Sequence, residues 1–396
     1  MSEIAHAYVK LAHDIELHNA GYIDGYYGPD AWKGDLKKRP LRELAREADE
    51  LAAAVSVMAQ EERRTFLQAQ VRAMQTSIAL LQGEQISYSQ EVRLLYDIEP
   101  QRISEEQFDE AIATLEDLLP GTGDIAAREQ AFRAKFEVPA ERLPLLFDTI
   151  VRELAYRTRQ RFRLPQSETF YVQYVKKQPW SAYNWYLGNY RSRIDINTDL
   201  PCHLNSLPDL VAHEAYPGHH TEHAIKEQRL WHEQRRGEHS ILLINAPECV
   251  VSEGIATRAL RLVMDDSELR NWMVSDLVAR ARLKGVNVEA MFAINQAKRA
   301  LAAVTTNAAF LIHEDGASEE KVLAYLQRYS LRKPKEARQT FNFITHPNFR
   351  SYPFTYRIGG QLLDQLFQKG NPQQWFARLL SEPITPGVIR EWIASQ

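Results

Sequence analysis

The sequence predicts a mainly α fold made of many helices, with one small antiparallel β-hairpin. Two observations predict this class. Apolar residues recur at helical spacing from residue 1 to about residue 165, and the same spacing returns from Leu207 to the end of the chain. Between Phe170 and Asp199 the sequence is instead aromatic and β-branched, which favours strands.

Length and composition predict a folded protein without separable modules. The chain has 396 residues, of which 44% are hydrophobic and 25% charged, and the composition is even along its length. These values are typical of a protein with a substantial core. We expect an N-terminal helical region, residues 1–165, and a second region, residues 166–396, that pack together as one unit.

Helix boundaries in the first region are indicated by a capping pattern and by a proline. Ser104 and Gln107 have the spacing of a capping box, in which each side chain bonds the backbone of the other residue. Pro165 predicts the end of a helix that runs from about Glu141 to Leu164, because proline disfavours helical backbone in the residue before it.

The strand-forming segment is expected to give a single hairpin. The run from Tyr183 to Asn197 has its turn signal at Gly188 and Asn189, and it is the one strand pair that the sequence predicts. Helical spacing follows it, and prolines mark the expected interruptions. These lie at Pro217–Gly218, Pro247, Pro334, Pro347 and Pro353.

Charge balance and the N-terminal residues argue against several partners. Lysine and arginine total 48 against 52 aspartate and glutamate residues, so we expect no basic stripe for nucleic acid or for a membrane surface. The N-terminus lacks the apolar core of a signal peptide, and nowhere do 18 apolar residues run together. We expect a cytoplasmic protein that binds neither nucleic acid nor membranes, with Cys202 and Cys249 as reduced thiols.

Residues 213–220, HEAYPGHH, carry the strongest chemical signal. Zinc is bound by neutral imidazoles and carboxylates, and a hydrolytic site leaves one position for water. In a regular HExxH helix the second histidine follows four residues after the first, on the same face. Pro217 stands at that position here, so the ordinary motif is absent. In a straight helix His220 would lie about 10 Å from His213 along the axis, which is too far for one ion.

Pro217 and Gly218 are expected to distort the helix. Proline removes a backbone donor and glycine tolerates unusual dihedral angles, so the pair favours a bulge or a break. A bulge of two residues would bring His219 to the place of the second histidine, and a longer one would bring His220 there. We favour His219, because it needs the smaller distortion, and we keep His220 as the alternative.

The string HEAYPGHH resembles the HExxPGHH signature of a family of uncharacterised bacterial proteins (domain of unknown function 885), which is grouped with the gluzincin zinc metallopeptidases. The third zinc ligand of that family is a glutamate followed by glycine on a later helix. Residues 251–256, VSEGIA, resemble this EGWA element and implicate Glu253. Ile255 stands where the family has tryptophan, and Leu260 stands where it has a further acidic residue.

A third match lies near the C-terminus, where residues 354–359, FTYRIG, resemble the family's TSYKIG stretch. The region of His346, Tyr352 and Tyr356 is also loosely similar to the part of angiotensin-converting-enzyme-like peptidases that supplies a histidine and a tyrosine to the oxyanion. The resemblance spans roughly residues 180 to 365. It implies a large helical zinc-peptidase-like fold with the hairpin beside the active-site helix.

These matches suggest a role for each candidate residue. Zinc would polarise a water molecule and the scissile carbonyl, and Glu214 would act as general base. Tyr356, with His346 as a second candidate, would stabilise the oxyanion through a hydrogen bond. The expected zinc ligands are His213, His219 and Glu253.

Five further residues are candidates for contact with substrate. Arginine can clamp a carboxylate through two hydrogen bonds, and an edge strand can hold a peptide backbone as an added strand. The candidates are Arg350 and Arg357 for a carboxylate, Asn197 and Tyr190 in the hairpin, and Tyr352 near the oxyanion site.

The sequence therefore predicts a zinc metallopeptidase of the gluzincin type that cleaves short peptides. Two alternatives stay open. The same zinc chemistry would serve a hydrolase of a non-peptide amide or ester. A helical binding protein with an inactive or metal-free site would carry the same fold.

Overall fold

Helices dominate the chain, as the spacing of its apolar residues predicts. The computed structural model describes residues 3–178, 180–199 and 201–395. Before the sheet region the helices are α1 (Glu3–Glu16), α2 (Leu41–Ser56), α3 (Glu61–Leu81), α4 (Tyr88–Tyr96), α5 (Glu105–Leu118), α6 (Ile125–Ala134) and α7 (Leu143–Arg159). After it they are α8 (Leu207–Glu214), α9 (His219–Lys226), α10 (Pro247–Val263), α11 (Asp266–Trp272), α12 (Val278–Arg280), α13 (Val288–Lys298), α14 (Val304–His313), α15 (Glu319–Ser330), α16 (Pro334–Thr345), α17 (Pro353–Phe367), α18 (Pro372–Ser381) and α19 (Pro386–Ala394).

Short strands form two small sheets within the described residues. The strands are β1 (Ile23–Tyr26), β2 (Thr169–Val175), β3 (Ala182–Gly188), β4 (Arg191–Asn197) and β5 (Ile241–Leu243). One sheet has the order β2-β4-β3, in which β4 is antiparallel to β3 and parallel to β2. The other sheet is the antiparallel pair of β1 and β5.

The predicted hairpin is present as β3 and β4, with its turn one residue later than expected. Asn189 and Tyr190 occupy the turn with φ angles of 54° and 59°. Glu227, which follows α9, accepts hydrogen bonds from both of their backbone N–H groups at 2.9 Å, so the hairpin is attached to the helix that begins at His219. The expectation of a single strand pair is wrong, because β1, β2 and β5 are also paired, through contacts that lie far apart in sequence.

One predicted capping contact and one predicted helix boundary differ from the structure. Ser104 precedes α5, but its side chain makes no capping hydrogen bond, and the Gln107 N–H bonds the backbone carbonyl of Ser104 at 3.2 Å instead. The helix expected from Glu141 to Leu164 is α7, which ends at Arg159. Beyond its end Phe162 is buried against Phe376, with ring centroids 5.3 Å apart, so the chain has left the helix before Pro165.

Two clusters of buried side chains hold these elements together. The larger joins the elements from α4 to α19, including the three-stranded sheet, and the smaller joins α1, α2 and α3 with β5. Strand β5 therefore attaches the small cluster to the start of α10, since only three residues separate the two elements. The division of the chain at residue 165 stays a prediction. None of the described helices combines the length and the apolar composition that a membrane crossing requires.

Helices α10 and α17 cross in backbone contact. A Cβ atom on Gly359 would lie 2.2 Å from the carbonyl oxygen of Val250, and one on Gly254 would lie 2.9 Å from the carbonyl oxygen of Gly359. Side chains at these positions would force the helices apart, because tightly packed interiors do not absorb an added carbon without displacement. The two glycines thus fix the distance between the helix that carries Glu253 and the helix that carries Tyr356.

We expect Gly359→Ala to lower the free energy of unfolding by about 1–3 kcal/mol, since the new methyl group overlaps the carbonyl of Val250. Gly360→Ala is the matched control in the next position of α17. Its methyl group would meet only the guanidinium end of Arg258, which can shift, and alanine favours helix, so the change should be neutral or stabilising by up to about 1 kcal/mol. Urea denaturation measures both, and equal values would contradict the backbone contact.

A candidate metal centre and its cavity

A cavity of about 620 Å³ lies between the sheet and the helices of the second half. Its walls are formed by β3, by the facing ends of α8 and α9, by α10, and by α16 and α17. All three side chains that the sequence predicts as metal ligands line it. They are His213, His219 and Glu253.

The connection between α8 and α9 places the two histidines side by side. Helix α8 ends at Glu214, and the Gly218 N–H turns back to bond the carbonyl of Ala212 at 2.9 Å. A Cβ atom on Gly218 would lie 2.0 Å from the carbonyl oxygen of His213, so any larger residue would clash with the backbone of α8. The His213 and His219 rings are consequently perpendicular neighbours, with centroids 4.7 Å apart.

Glu253 completes the group from α10. Its Oε2 lies 3.4 Å from His213 Nε2 and 3.8 Å from His219 Nε2, and its Oε1 accepts a 2.7 Å hydrogen bond from the Tyr352 hydroxyl. Oε2 is buried and has no hydrogen-bond partner among the described residues. Because buried carboxylate oxygens are normally satisfied, an unpaired oxygen facing two imidazoles is the arrangement expected where a cation binds.

The electrostatics of this cluster favour a positive charge. Burial by itself lowers the pKa of the His219 ring, but the carboxylates of Glu222, Glu253 and Glu214 raise it to about 9. Burial likewise raises the pKa of Glu253, yet the neighbouring His213 and His219 hold it below its usual value. The carboxylates therefore stabilise a cation, whether that is a proton on the ring or a metal ion between the ligands.

His220, the alternative second ligand, points away from this cluster. It is fully buried, its Nδ1 lies 2.8 Å from Ser192 Oγ, and its Nε2 lies 2.9 Å from Glu168 Oε2. Glu168 is also bonded by the Tyr216 hydroxyl at 2.5 Å and by Arg159. Both ring nitrogens of His220 are thus occupied, and they attach α9 to the sheet and to the segment after α7.

Glu214, the predicted general base, is a buried side chain of the cavity wall. The Asn184 side chain in β3 donates a 2.6 Å hydrogen bond to its backbone carbonyl, which fixes the end of α8. Burial raises the pKa of the carboxyl group, and His213 and His219 offset part of that rise. A carboxylate whose pKa is raised is a stronger base than one in water, which suits proton transfer.

Tyr356 and His346, the predicted oxyanion donors, also line the cavity. Tyr356 is 38% exposed, and its ring is stacked near His213 with centroids 6.3 Å apart. His346 Nδ1 lies 3.2 Å from the Asn348 N–H and accepts from it, which leaves the proton of a neutral ring on Nε2. Both side chains therefore carry a donor group and line the same cavity as the proposed metal ligands.

The two hairpin residues predicted to touch substrate are placed differently. Asn197 lines the cavity, but its amide group donates to the carbonyls of Gln178 and Trp180, both at 2.9 Å, and so holds the β2–β3 connection. Tyr190 lies at the hairpin turn against His232, with ring centroids 5.7 Å apart, and is not among the described residues that line the cavity. Substrate contact by Asn197 and Tyr190 stays a prediction, which the position of Asn197 in the cavity wall favours more than that of Tyr190 at the hairpin turn.

The two arginines expected to clamp a substrate carboxylate are not brought to the cavity. Arg350 binds the buried Glu91 through two nitrogens, one of them at 2.8 Å. Arg357 donates to the carbonyl of Gln101 at 2.7 Å. Each guanidinium group therefore binds a residue of the N-terminal region, Glu91 or Gln101. Neither arginine is among the described residues that line the cavity.

Sequence reasoning missed the residues that orient His219. Ser252 Oγ lies 3.1 Å from His219 Nδ1 and donates a 2.6 Å hydrogen bond to the buried Glu222. Lys226 lies 2.8 Å from Glu222 and 2.9 Å from Glu248. Such outer partners fix the orientation of a metal-binding imidazole. The available signal was the spacing of Glu222 and Lys226, four residues apart on the helix that begins with His219.

A second group of potential ligand atoms shares His219 with the first. His219, Glu222 and His223 also bring three such atoms within 4.8 Å of one another. Here, however, the Glu222 carboxylate is already paired with the buried ammonium group of Lys226. An adjacent ammonium group opposes a second cation, so the group with Glu253 is the better metal site.

The fold is similar to those of solved structures at low sequence identity. It matches a lipoprotein candidate from Colwellia psychrerythraea with a TM-score of 0.53 and 13% identity, covering 89% of this chain and 67% of that one. It matches a lipoprotein candidate of unknown function from Shewanella oneidensis with a TM-score of 0.51 and 13% identity, covering 91% and 74%. These likenesses concern the fold alone.

Other comparisons add no functional information. The M32 carboxypeptidase from Deinococcus radiodurans R1 gives a TM-score of 0.39 at 13% identity over 98% of this chain and 94% of that one, a likeness too weak to support a functional comparison. No family model matches the chain. No curated protein matches it in sequence.

The neighbouring histidines should differ in their contribution to stability. We expect His220→Ala to lower the free energy of unfolding by about 2–4 kcal/mol in metal-free buffer, because it empties a fully buried site and removes one hydrogen-bond partner each from Glu168 and Ser192. His219→Ala is the matched control and should cost less when both variants are compared above about pH 9, where the His219 ring has lost the proton that the carboxylates of Glu222 and Glu253 stabilise, and a neutral ring facing the cavity is removed. Denaturation in the presence of a chelator measures both, and the reverse order would contradict the assigned positions.

Proposed function

We propose that the protein is a zinc-dependent hydrolase whose ligands are His213, His219 and Glu253. The observation that carries the proposal is the buried, unpaired Oε2 of Glu253, which faces Nε2 of both histidines at 3.4 and 3.8 Å. Two imidazoles and one carboxylate form the ligand set of zinc hydrolases, which leave a further position for water. The same residues carry the resemblance to the HExxPGHH family.

The proposed chemistry is attack of water on a carbonyl carbon. When bound, zinc supplies the Lewis acidity that makes water a good nucleophile and polarises the carbonyl. Glu214 takes a proton from the attacking water and returns it to the leaving group as the bond to the carbonyl carbon breaks. Its burial beside His213 supports this role, because it raises the pKa of the carboxyl group.

Tyr356 and His346 are proposed to hold the developing oxyanion. A donor positioned before the reaction lowers the barrier more than a mobile water does, because little reorganisation is needed when charge develops. Tyr352 has a different role in this scheme. Its hydroxyl bonds Glu253 Oε1 at 2.7 Å, so it orients the carboxylate ligand instead of contacting substrate.

Short peptides are the proposed substrates. The cavity volume of about 620 Å³ is within the usual range of small-ligand sites, about 300–1,000 Å³, and its walls of helices and strands favour short or extended chains over folded proteins. Cleavage of a non-peptide amide or ester would need the same residues and is an outcome of the assay below. A cytoplasmic location remains part of the proposal.

Metal content should separate the two candidate histidines. Purified protein equilibrated with zinc is expected to hold about one ion per chain. Loss of a residue that only hydrogen-bonds to a metal ligand typically weakens metal binding by about 10–100-fold, and His219→Ala and Glu253→Ala should weaken zinc binding by more than that. His220→Ala, assayed at a temperature where it is folded, should keep its zinc. Elemental analysis measures this, and loss of zinc in His220→Ala with retention in His219→Ala would overturn the ligand set.

Glu214→Gln should separate metal binding from catalysis. The variant is expected to keep its zinc and to lose about 10²–10⁴-fold in kcat, because glutamine cannot accept the proton. Turnover is measured on a panel of short peptides and of non-peptide amides and esters. Undiminished turnover would remove Glu214 from the mechanism, and turnover of the non-peptide compounds alone would replace the peptidase with the second hydrolase.

A further inference from the structure

Asp24 is an acidic residue of the cavity wall that the proposed hydrolysis does not use. It belongs to β1, which pairs with β5 through Ile23 and Gly25, and the register shifts between these two residues. Asp24 is therefore the extra residue of a β-bulge. Bulges take a side chain out of the alternation of a strand and occur often beside active sites. The bulge explains how a residue of a short N-terminal strand comes to line a cavity built mainly from the second half.

The Asp24 carboxylate has a neutral partner. The Tyr183 hydroxyl donates a hydrogen bond to its Oδ1, and no lysine or arginine of the described chain forms an ion pair with it. Asp24 is half-buried, and carboxylates that are partly removed from bulk water are often paired with a cation, because an unpaired charge is costly to bury. Burial raises the pKa of Asp24 to about 6, although Tyr183 and His219 oppose the rise, so at neutral pH the group is mainly ionised.

Aromatic rings lie beside this carboxylate. The ring centroid of Tyr183 is 5.6 Å from that of Trp180 and 4.6 Å from that of Trp185. Trp185 already has the guanidinium of Arg193 over its ring at 5.2 Å, whereas Trp180 and Tyr183 line the cavity. Aromatic faces attract cations, and a carboxylate adds a charged acceptor for N–H donors. Together they form a suitable environment for an ammonium group.

The position of Asp24 relates this environment to the proposed reaction. Asp24 lines the same cavity as the proposed metal ligands His213, His219 and Glu253. An ammonium group held by Asp24 would therefore belong to a part of the substrate close to the scissile bond.

We propose that Asp24, held by Tyr183, forms a subsite for an ammonium group of a peptide substrate. The group is either the amino terminus of the peptide or a lysine side chain near the bond that is cleaved. The inference deepens the proposed peptidase function and rests on it, since it names what the peptide must carry. It implies cleavage within the first residues of a peptide when the amino terminus is the group that binds.

The test compares three peptides on the zinc-loaded protein. They are a tripeptide with a free amino terminus, its Nα-acetyl form, and an Nα-acetyl form with lysine as the first residue. We expect kcat/KM for at least one ammonium-bearing peptide to exceed that of the plain acetylated peptide by about 10–100-fold, the value of a hydrogen-bonded charge pair. Preference for the free amino terminus or for lysine identifies the source of the ammonium group.

Variants then assign the preference to the subsite. Asp24→Asn keeps an acceptor for Tyr183 but removes the charge, and it should reduce the preference to about twofold or less. Asp199→Asn is the matched control, because Asp199 is an exposed carboxylate that lines the same cavity. It should leave the preference unchanged. An equal loss in both variants would indicate a general effect of cavity charge and overturn the assignment to Asp24.

A binding measurement separates failure of this inference from failure of the proposed function. In zinc-loaded Glu214→Gln, calorimetry should show tighter binding of an ammonium-bearing peptide than of its plain acetylated form. If the protein hydrolyses none of the peptides, the proposed peptidase function is wrong. The difference in binding between ammonium-bearing and acetylated peptides then tests the subsite by itself. Equal hydrolysis and equal binding of all three peptides by otherwise native protein would overturn the subsite and leave the hydrolase. This comparison of peptides uses protein with native Asp24, so it does not depend on the folding of an Asp24 variant.

Discussion

The backbone contact between α10 and α17 is the constraint on which the rest of the centre depends. Gly254 and Gly359 allow the two helices to meet without intervening side chains. Glu253 precedes one of these glycines, and Tyr356 lies three residues before the other, so the contact sets the position of the proposed metal ligand relative to the proposed oxyanion donor. Gly218 has the equivalent effect between α8 and α9, where it brings His219 to His213. Backbone contacts at these three glycines thus fix the relative positions of His213, His219, Glu253 and Tyr356.

Local patterns in the sequence were sufficient for much of this architecture. Apolar spacing predicted the helices, and the aromatic and β-branched residues from Tyr183 to Asn197 with the turn signal at Gly188 and Asn189 predicted the hairpin, because both patterns depend on residues a few positions apart. Pro217 and Gly218 also indicated a distortion that favours His219 over His220, and the structure places only His219 beside His213 and Glu253 among the described residues. The prediction that Glu253 is a ligand came from a resemblance, since no local rule links it to residues 213–220.

Contacts between distant parts of the chain account for what the sequence did not predict. Arg350 binds Glu91, 259 residues away, and no pattern around Arg350 distinguishes that partner from a substrate carboxylate. The pairing of β1 with β5 is equally remote, and the strands are too short to show alternation. The sequence also failed to predict the positions of Asp24 and of the Glu222–Lys226–Glu248 network. The residues around them come together only when the chain folds.

The cavity wall contains Asp24 near one end of the chain and Tyr356 near the other. During synthesis the N-terminal strand leaves the ribosome long before β5, α10 and α17 are available to it. No growing chain can therefore assemble the whole reactive centre until most of its residues have emerged. The proposed hydrolase would therefore gain its complete cavity only late in synthesis, after α17 has left the ribosome.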